Sequence, residues 1–348
     1  MSAISGINAL GQRIWLDNLS RKMLAEGELA QHIWNGVTGL TSNPSILLKG
    51  FKGSPYYRED LDAARKSGLS PEKRLEALIL PDIRGACDLF LPVFENSGHE
   101  DGYVSLEVSP RLAFDMEGTV EAAIRLVSEV ERPNLMIKVP ATPEGIAAFE
   151  KLTSLGISIN VTLIFSLHQV FHVQEAYVRG LRRYAESGEN IGNVRSVASI
   201  FLSRIDTLVD NLPGCDAQLK GKAGVTLAKI AYQRYLDRFH GPAQGIGHPQ
   251  KLLWASTGTK NPAYSDLLYV EPLIGKETVN TLPDATLAAF IDHGKAENTL
   301  ESGIEEAKAH FVALEKAGIN MEKVASQLFE EGMKAFDTAY SDLLALVA

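Results

Sequence analysis

Residues 134–164 read NLMIKVPATPEGIAAFEKLTSLGISINVTLI, and three segments of different periodicity follow one another within them. The first, 134–139, and the last, 157–164, are short apolar runs of strand length. Between them, 143–155 places its apolar residues at helical spacing. Strand, helix and strand joined this closely form a β–α–β unit, in which the strands are parallel and the helix covers one face of their sheet. The same alternation extends in both directions. Upstream, strands are predicted at 13–17, 36–41 and 103–108; downstream, at 196–202, 252–256 and 267–271. Amphipathic stretches at 117–131, 167–184 and 222–240 lie between several of them. Eight such units predict an α/β architecture closed into a (β/α)8 barrel, a TIM barrel, whose usual size is about 250 residues. A doubly wound open sheet is the alternative, because strand count alone does not close a ring.

The chain has 348 residues, more than the barrel needs. The surplus is assigned to a helical segment at 44–95 and to a C-terminal helical pair at 302–317 and 321–347. Residues 1–348 then form one barrel domain with a helical extension from about residue 300. In the last helix Val324, Leu328, Phe336, Tyr340 and Leu344 share one stripe, which predicts packing against the barrel.

Hydrophobic residues make up 45% and charged residues 22%, ordinary for a chain with a sizeable core. The formal charge of −9 argues against a nucleic-acid surface, which needs a basic face. No apolar run approaches the roughly 18 residues that span a bilayer, and the opening MSAISGINALGQR lacks the basic and apolar regions of a secretory signal. Cys87 and Cys215 are far apart and show no metal-like spacing, which fits a reducing compartment. A cytoplasmic location is expected.

In a barrel of this kind chemistry sits at the carboxyl ends of the strands. The first predicted strand ends in Asp17, the second runs into Thr41-Ser42-Asn43-Pro44, and the third carries Ser105 and Glu107 on one face. The fourth places Lys138 near its end. Asn160 and Thr162 share a face of the fifth, Ser199 and then Arg204 follow on the sixth, and Ser256-Thr257 with Lys260 close the seventh. Asp17 or Asn18 also has a structural explanation, as cap of a helix starting near Leu19, and Asn43-Pro44 matches an N-cap followed by proline. Ser199 and Thr162 can be barrel-layer residues satisfied by backbone. Glu107 and Lys138 are costly to bury unpaired, so either they form a structural ion pair or they serve catalysis. A lysine flanked by apolar residues is a candidate nucleophile, since burial disfavours its charged form. Its attack on a ketose gives an iminium that permits cleavage of the neighbouring carbon–carbon bond, with Asp17 and Glu107 as candidate proton carriers.

GLTSNPSI (39–46), VSLEVSPRLAFD (104–115), LMIKVPATPEGIAAFEKL (135–152), GISINVTLIFS (156–166) and SIFLSRID (199–206) together resemble the transaldolase family, in a longer bacterial branch. The resemblance runs from about Arg13 to about Gly294. It implies a class I, metal-independent aldolase-like barrel of the pentose phosphate pathway that needs no cofactor. Such enzymes move a dihydroxyacetone unit from sedoheptulose 7-phosphate to glyceraldehyde 3-phosphate, giving erythrose 4-phosphate and fructose 6-phosphate. Lys138 would be the Schiff-base lysine, and Asp17 would take and return the proton of the hydroxyl at the breaking bond. Glu107 with Thr162 would hold the water of imine formation and hydrolysis. Asn43 and Asn160 would bind hydroxyls of the dihydroxyacetone unit, with Ser199 nearby, and Arg204 the substrate phosphate. The chain departs from the family after the seventh strand, where a second arginine is expected; Lys260 stands there as a point charge.

The nearest rival is fructose 6-phosphate aldolase, which releases free dihydroxyacetone; such proteins are shorter and carry Gln in place of Glu107 and Tyr in place of Phe201. A non-catalytic sugar-phosphate-binding barrel and a metal-dependent lyase are the rivals from other classes. His168 and His172 have metal-ligand spacing but no third ligand in the sequence, which favours a solvated helix face. Gly214 to Gly221-Lys222 has the wrong spacing for a phosphate loop, and no GxGxxG follows a strand.

Overall fold

The computed structural model describes residues 3–241 and 247–348. Eight parallel strands close into a ring in chain order: β1 Gln12–Leu16, β2 Gly39–Thr41, β3 Val104–Glu107, β4 Leu135–Pro140, β5 Ile159–Ile164, β6 Ser196–Phe201, β7 Lys251–Ala255 and β8 Thr278–Leu282. β1 pairs with both β2 and β8, which completes the (β/α)8 barrel and excludes an open sheet. Every residue of β4, β5 and β6 is buried, because helices cover the outside and side chains fill the inside.

Seven predicted strands are present to within three residues at either end. The eighth is not. The run 267–271 forms a turn leading into a short 3-10 helix, Glu271–Leu273, started by Pro272. Its Leu267, Tyr269 and Val270 are buried, but as a plug under the true last strand rather than as a strand. β8 has the sequence TVNTL, whose polar residues hid it. Asn280 donates to the Tyr269 carbonyl of the misassigned segment at 2.9 Å and Thr278 to that of Gly275 just before the strand at 2.7 Å, so the preceding loop satisfies the polar residues of the real strand. The helix Asp284–His293 that follows was missed with it.

Helix caps fix how the strands lead out of the barrel. Asn43 accepts from the Ile46 amide at 3.0 Å with Pro44 behind it, and Thr142 accepts from the Gly145 amide at 2.7 Å with Pro143 behind it. Asp17 and Asn18 cap nothing: Ser20 caps the helix Arg21–Ala25, and Asn18 donates to Asp284 at 2.8 Å.

The segment 44–95 contains the helices Pro44–Phe51, Arg58–Lys66 and Pro71–Asn96, and the chain finishes in Ile304–Lys316 and Met321–Val347. The last helix lies across the carboxyl end of the barrel, against Pro44–Phe51, Pro71–Asn96 and Ser203–Val209. Val324, Leu328, Phe336 and Leu344 of the expected stripe are buried, and Tyr340 is partly buried. At the amino end Glu100 pairs with Arg195, His248 and Lys251, while Trp15 donates to Asp101 at 2.8 Å, closing the floor with charge balanced by charge. Among the described residues no helix is long and apolar enough to cross a membrane.

Gly145 couples β4 to its helix. A Cβ there would stand 2.1 Å from the Pro140 carbonyl oxygen, which is backbone and has no room to retreat. Gly145→Ala is expected to destabilise the protein by about 2–4 kcal/mol. A denaturant midpoint and slope unchanged from wild type would refute this packing argument.

Candidate active site

Strand register brings the inward-facing polar residues to one level. Glu107 of β3 is paired with Lys138 of β4, and Lys138 with Asn160 of β5. Lys138 is only 4% exposed, and its amine donates to the Ser42 carbonyl at 3.2 Å. Among the described residues it makes no direct ion pair, so the structural Lys138–Glu107 pair is not present. From Ser42, just after β2, a polar belt links three strands: the Ser42 hydroxyl donates to the Ser105 carbonyl at 2.8 Å, Asn160 to the Ser105 hydroxyl at 3.1 Å, and Ser199 to Asn160 at 2.6 Å. These hydrogen bonds satisfy groups that would otherwise be costly at the centre of a barrel.

A cavity of about 300 Å³ opens above Lys138 at the carboxyl end of the barrel. Asp17, Asn43, Lys138, Ser199, Arg204 and Lys260 all line it, six of the nine residues singled out in the sequence. Asn160 and Thr162 are fully buried and do not reach it. Glu107 lines two neighbouring hollows between β3 and the last helix instead. One carboxylate oxygen of Glu107 and the Thr162 hydroxyl are buried without a protein partner, a condition that ordered water relieves.

Asp17 sits just beyond β1 and accepts from the Thr41 hydroxyl at 2.7 Å; Thr41 in turn lies 2.6 Å from the Thr281 hydroxyl. Burial raises the Asp17 carboxyl above its ordinary range, and Asp284 adds to this, while Lys138, Thr41 and Lys260 oppose it. Burial also pushes Glu107 up to about 7, with Asp17 adding and Lys138 opposing. Both carboxyls are thus raised, and Glu107, at about 7, reaches the range in which a group can both give and take a proton near neutral pH.

Asn43 spends its side-chain oxygen on the helix cap, which leaves the amide nitrogen as its donor to the cavity. Arg204 stacks over Phe201 at 5.5 Å and is without an ion pair among the described residues. Burial lowers its pKa from the usual arginine value, against the pull of Glu331 and Asp17. Lys260 is exposed and likewise without an ion pair. Two backbone irregularities shape the walls: β5 carries a register shift between Val161 and Ile164 with Leu163 at φ 60°, and Ser256 at the end of β7 has φ 53°. Left-handed conformations of non-glycine residues are uncommon and gather at functional sites.

Several lining residues were not assigned to the site from the sequence, three of them on elements that were not expected to reach it. Lys49 lies on the helix Pro44–Phe51, Thr281 on the unrecognised β8, and Phe336 on the last helix, which therefore forms part of the site. His168 and His172 have their Nε2 atoms 2.9 Å apart on an exposed helix face, and no third metal-ligating group joins them among the described residues. The group able to offer three ligands, Glu28, His32 and Asp284, lies outside the cavity lining.

Comparison with known proteins comes from two directions. A family model described as Transaldolase/Fructose-6-phosphate aldolase matches residues 14–347. The chain is 53% identical to the transaldolase of Thiobacillus denitrificans over 358 residues, covering 100% of both chains. It is 49% identical to that of Neisseria gonorrhoeae, covering 99% of each, and 43% identical to that of Trichodesmium erythraeum, covering 97% of this chain and 94% of the other.

The raised carboxyl of Glu107 has a consequence for stability. An unstructured glutamate titrates at roughly 4.3, so the folded protein holds the proton more tightly. The stability this contributes is complete below that value and is lost as pH rises through about 7. Relative to Glu107→Gln, the wild type should lose stability between about pH 4.5 and pH 7 and then level off. Urea midpoints of both proteins across pH 4–8 test this; a constant difference between them would refute it.

Proposed function

Because the chain belongs to the transaldolase/fructose-6-phosphate aldolase family, we propose that it carries out transaldolase chemistry through a Schiff base on Lys138. The activity is that of a transaldolase, a transferase of the pentose phosphate pathway acting on phosphorylated sugars. The observation that carries the assignment of the lysine is its position: an amine without a direct carboxylate partner, at the floor of a cavity lined by one carboxylate, Asp17, and by three further cations.

In this reading the Lys138 amine adds to the donor's ketone, and loss of water gives the iminium. Asp17, held by Thr41, takes the proton of the hydroxyl at the breaking bond, the aldehyde product leaves, and the three-carbon enamine stays attached. The enamine then attacks the acceptor aldehyde and Asp17 returns the proton. Glu107 and Thr162, each with a buried oxygen free of protein partners, hold the water that hydrolyses the imine. The Asn43 amide and Ser199 meet substrate hydroxyls at the cavity wall, while Asn160 acts from below by orienting Ser199. Arg204 and Lys260 bind the phosphate, the arginine through its planar fork and the lysine as a point charge. A cytoplasmic setting, a single functional unit made of barrel and C-terminal helices, and the absence of a cofactor requirement belong to the same proposal.

Borohydride added with fructose 6-phosphate is expected to fix the three-carbon adduct on the peptide containing Lys138, and Lys138→Ala to fold normally while losing at least about 10³-fold in kcat. An unlabelled Lys138 with substrate still consumed would overturn the mechanism. The same assay separates transfer from simple cleavage: turnover should depend on the acceptor aldehyde, whereas equal dihydroxyacetone release without acceptor would favour the aldolase reading.

A further inference from the structure

The cavity contains a cation that the chemistry above does not use. Lys49 lines it together with Arg204 and Lys260, and among the described residues it has neither an ion pair nor a side-chain hydrogen bond. Its orientation is set by its helix. Asn43 is the N-cap, and Ser45 and Ile46, four and three residues before Lys49, line the same cavity, so one helix face points into the site. Lys52, three residues further on, pairs with Asp342 of the last helix at 4.0 Å. Of these two neighbouring lysines one lies at the surface beside a carboxylate of the last helix, and the other faces the cavity.

The charge inventory of the wall is unbalanced. Lys49, Lys138, Arg204 and Lys260 are opposed within the lining by Asp17 alone. Lys138 is required for covalent chemistry, which leaves three cations for one dianionic group. Arg204 follows β6 and Lys260 follows β7, whereas Lys49 comes from the helix after β2, on the far side of an eight-strand ring. Cations from one side alone fix a phosphate on one face; a third from across the mouth encloses it and strengthens the field that draws it in.

We propose that Lys49 is a specificity-determining residue that contacts the substrate phosphate from the β2 side and sets the preference for phosphorylated over unphosphorylated aldehyde acceptors. This rests on the transaldolase reading. It also accounts for the departure after the seventh strand, where a lysine stands at the position expected to hold a second arginine. The deficit in bidentate contact there is made up by a cation on another element.

The test uses the full-length enzyme with fructose 6-phosphate as donor and either glyceraldehyde 3-phosphate or D-glyceraldehyde as acceptor. Lys49→Gln should reduce the ratio of the two kcat/KM values by about tenfold or more, as expected for loss of a charge-assisted contact, and should weaken inhibition by inorganic phosphate in parallel. Lys49→Arg should keep the preference. A smaller change in the ratio for Lys49→Gln, or a parallel loss with both acceptors, overturns the role. The wild type in the same assay reports separately on the underlying reading: if it shows no acceptor-dependent turnover and no borohydride labelling, the Schiff-base assignment fails, and the Lys49 role with it.

Discussion

The pairing of Glu107 with Lys138 and of Lys138 with Asn160 across β3, β4 and β5 is the constraint on which the site depends. Alternate residues of a closed parallel barrel point to its interior, and a side chain placed there has no route back to solvent. An amine in that position must be served by groups on neighbouring strands. Here the Ser42 carbonyl takes its hydrogen bond, and the belt from Ser42 through Ser105 and Asn160 to Ser199 ties β3, β5 and β6 to the loop that follows β2. A slip of one residue in any of these strands would turn the inward set outward. The register that builds the core and the register that aligns the polar groups of the candidate site are therefore the same.

The two ends of the barrel handle charge in opposite ways. At the amino end Glu100 is surrounded by Arg195, His248 and Lys251, so the cations there are paired, although burial also raises the Asp101 carboxyl. At the carboxyl end the arginine and two lysines have no ion-pair partners among the described residues, and two carboxyls are raised by burial. A structure built only for stability has little reason to leave charge unsatisfied on one face and balance it on the other. The unpaired cations make the carboxyl end the face suited to an anion.

Much of this was legible in the sequence because the strands that carry the chemistry are apolar runs interrupted by single polar residues. LMIKVP announces both a strand and the exception within it. The eighth strand was illegible for the converse reason. TVNTL is mostly polar and lacks an apolar run, while LLYVE nearby has the composition of a strand and the position of a plug. Asn43 matched the capping reading and also lines the cavity, so the two explanations offered for it were not exclusive. For Asp17 they were, since Ser20 does the capping. Lys49 gave no signal, because a lysine on an amphipathic helix is ordinary until the face it occupies is known. Glu107, Asn160 and Thr162 were found on the right strands, but strand periodicity does not say which inward residue reaches open space and which supports it from beneath.

The last helix contributes Phe336 to the cavity wall, and its Gly332 lies against Leu163 and Arg204. Those residues leave the ribosome after every strand of the barrel has emerged. A chain that has emerged only as far as β8 thus still lacks one wall of the pocket. Ring closure therefore does not by itself finish the pocket: its last wall, and part of the shared core, arrive with a helix that follows all eight strands in the chain.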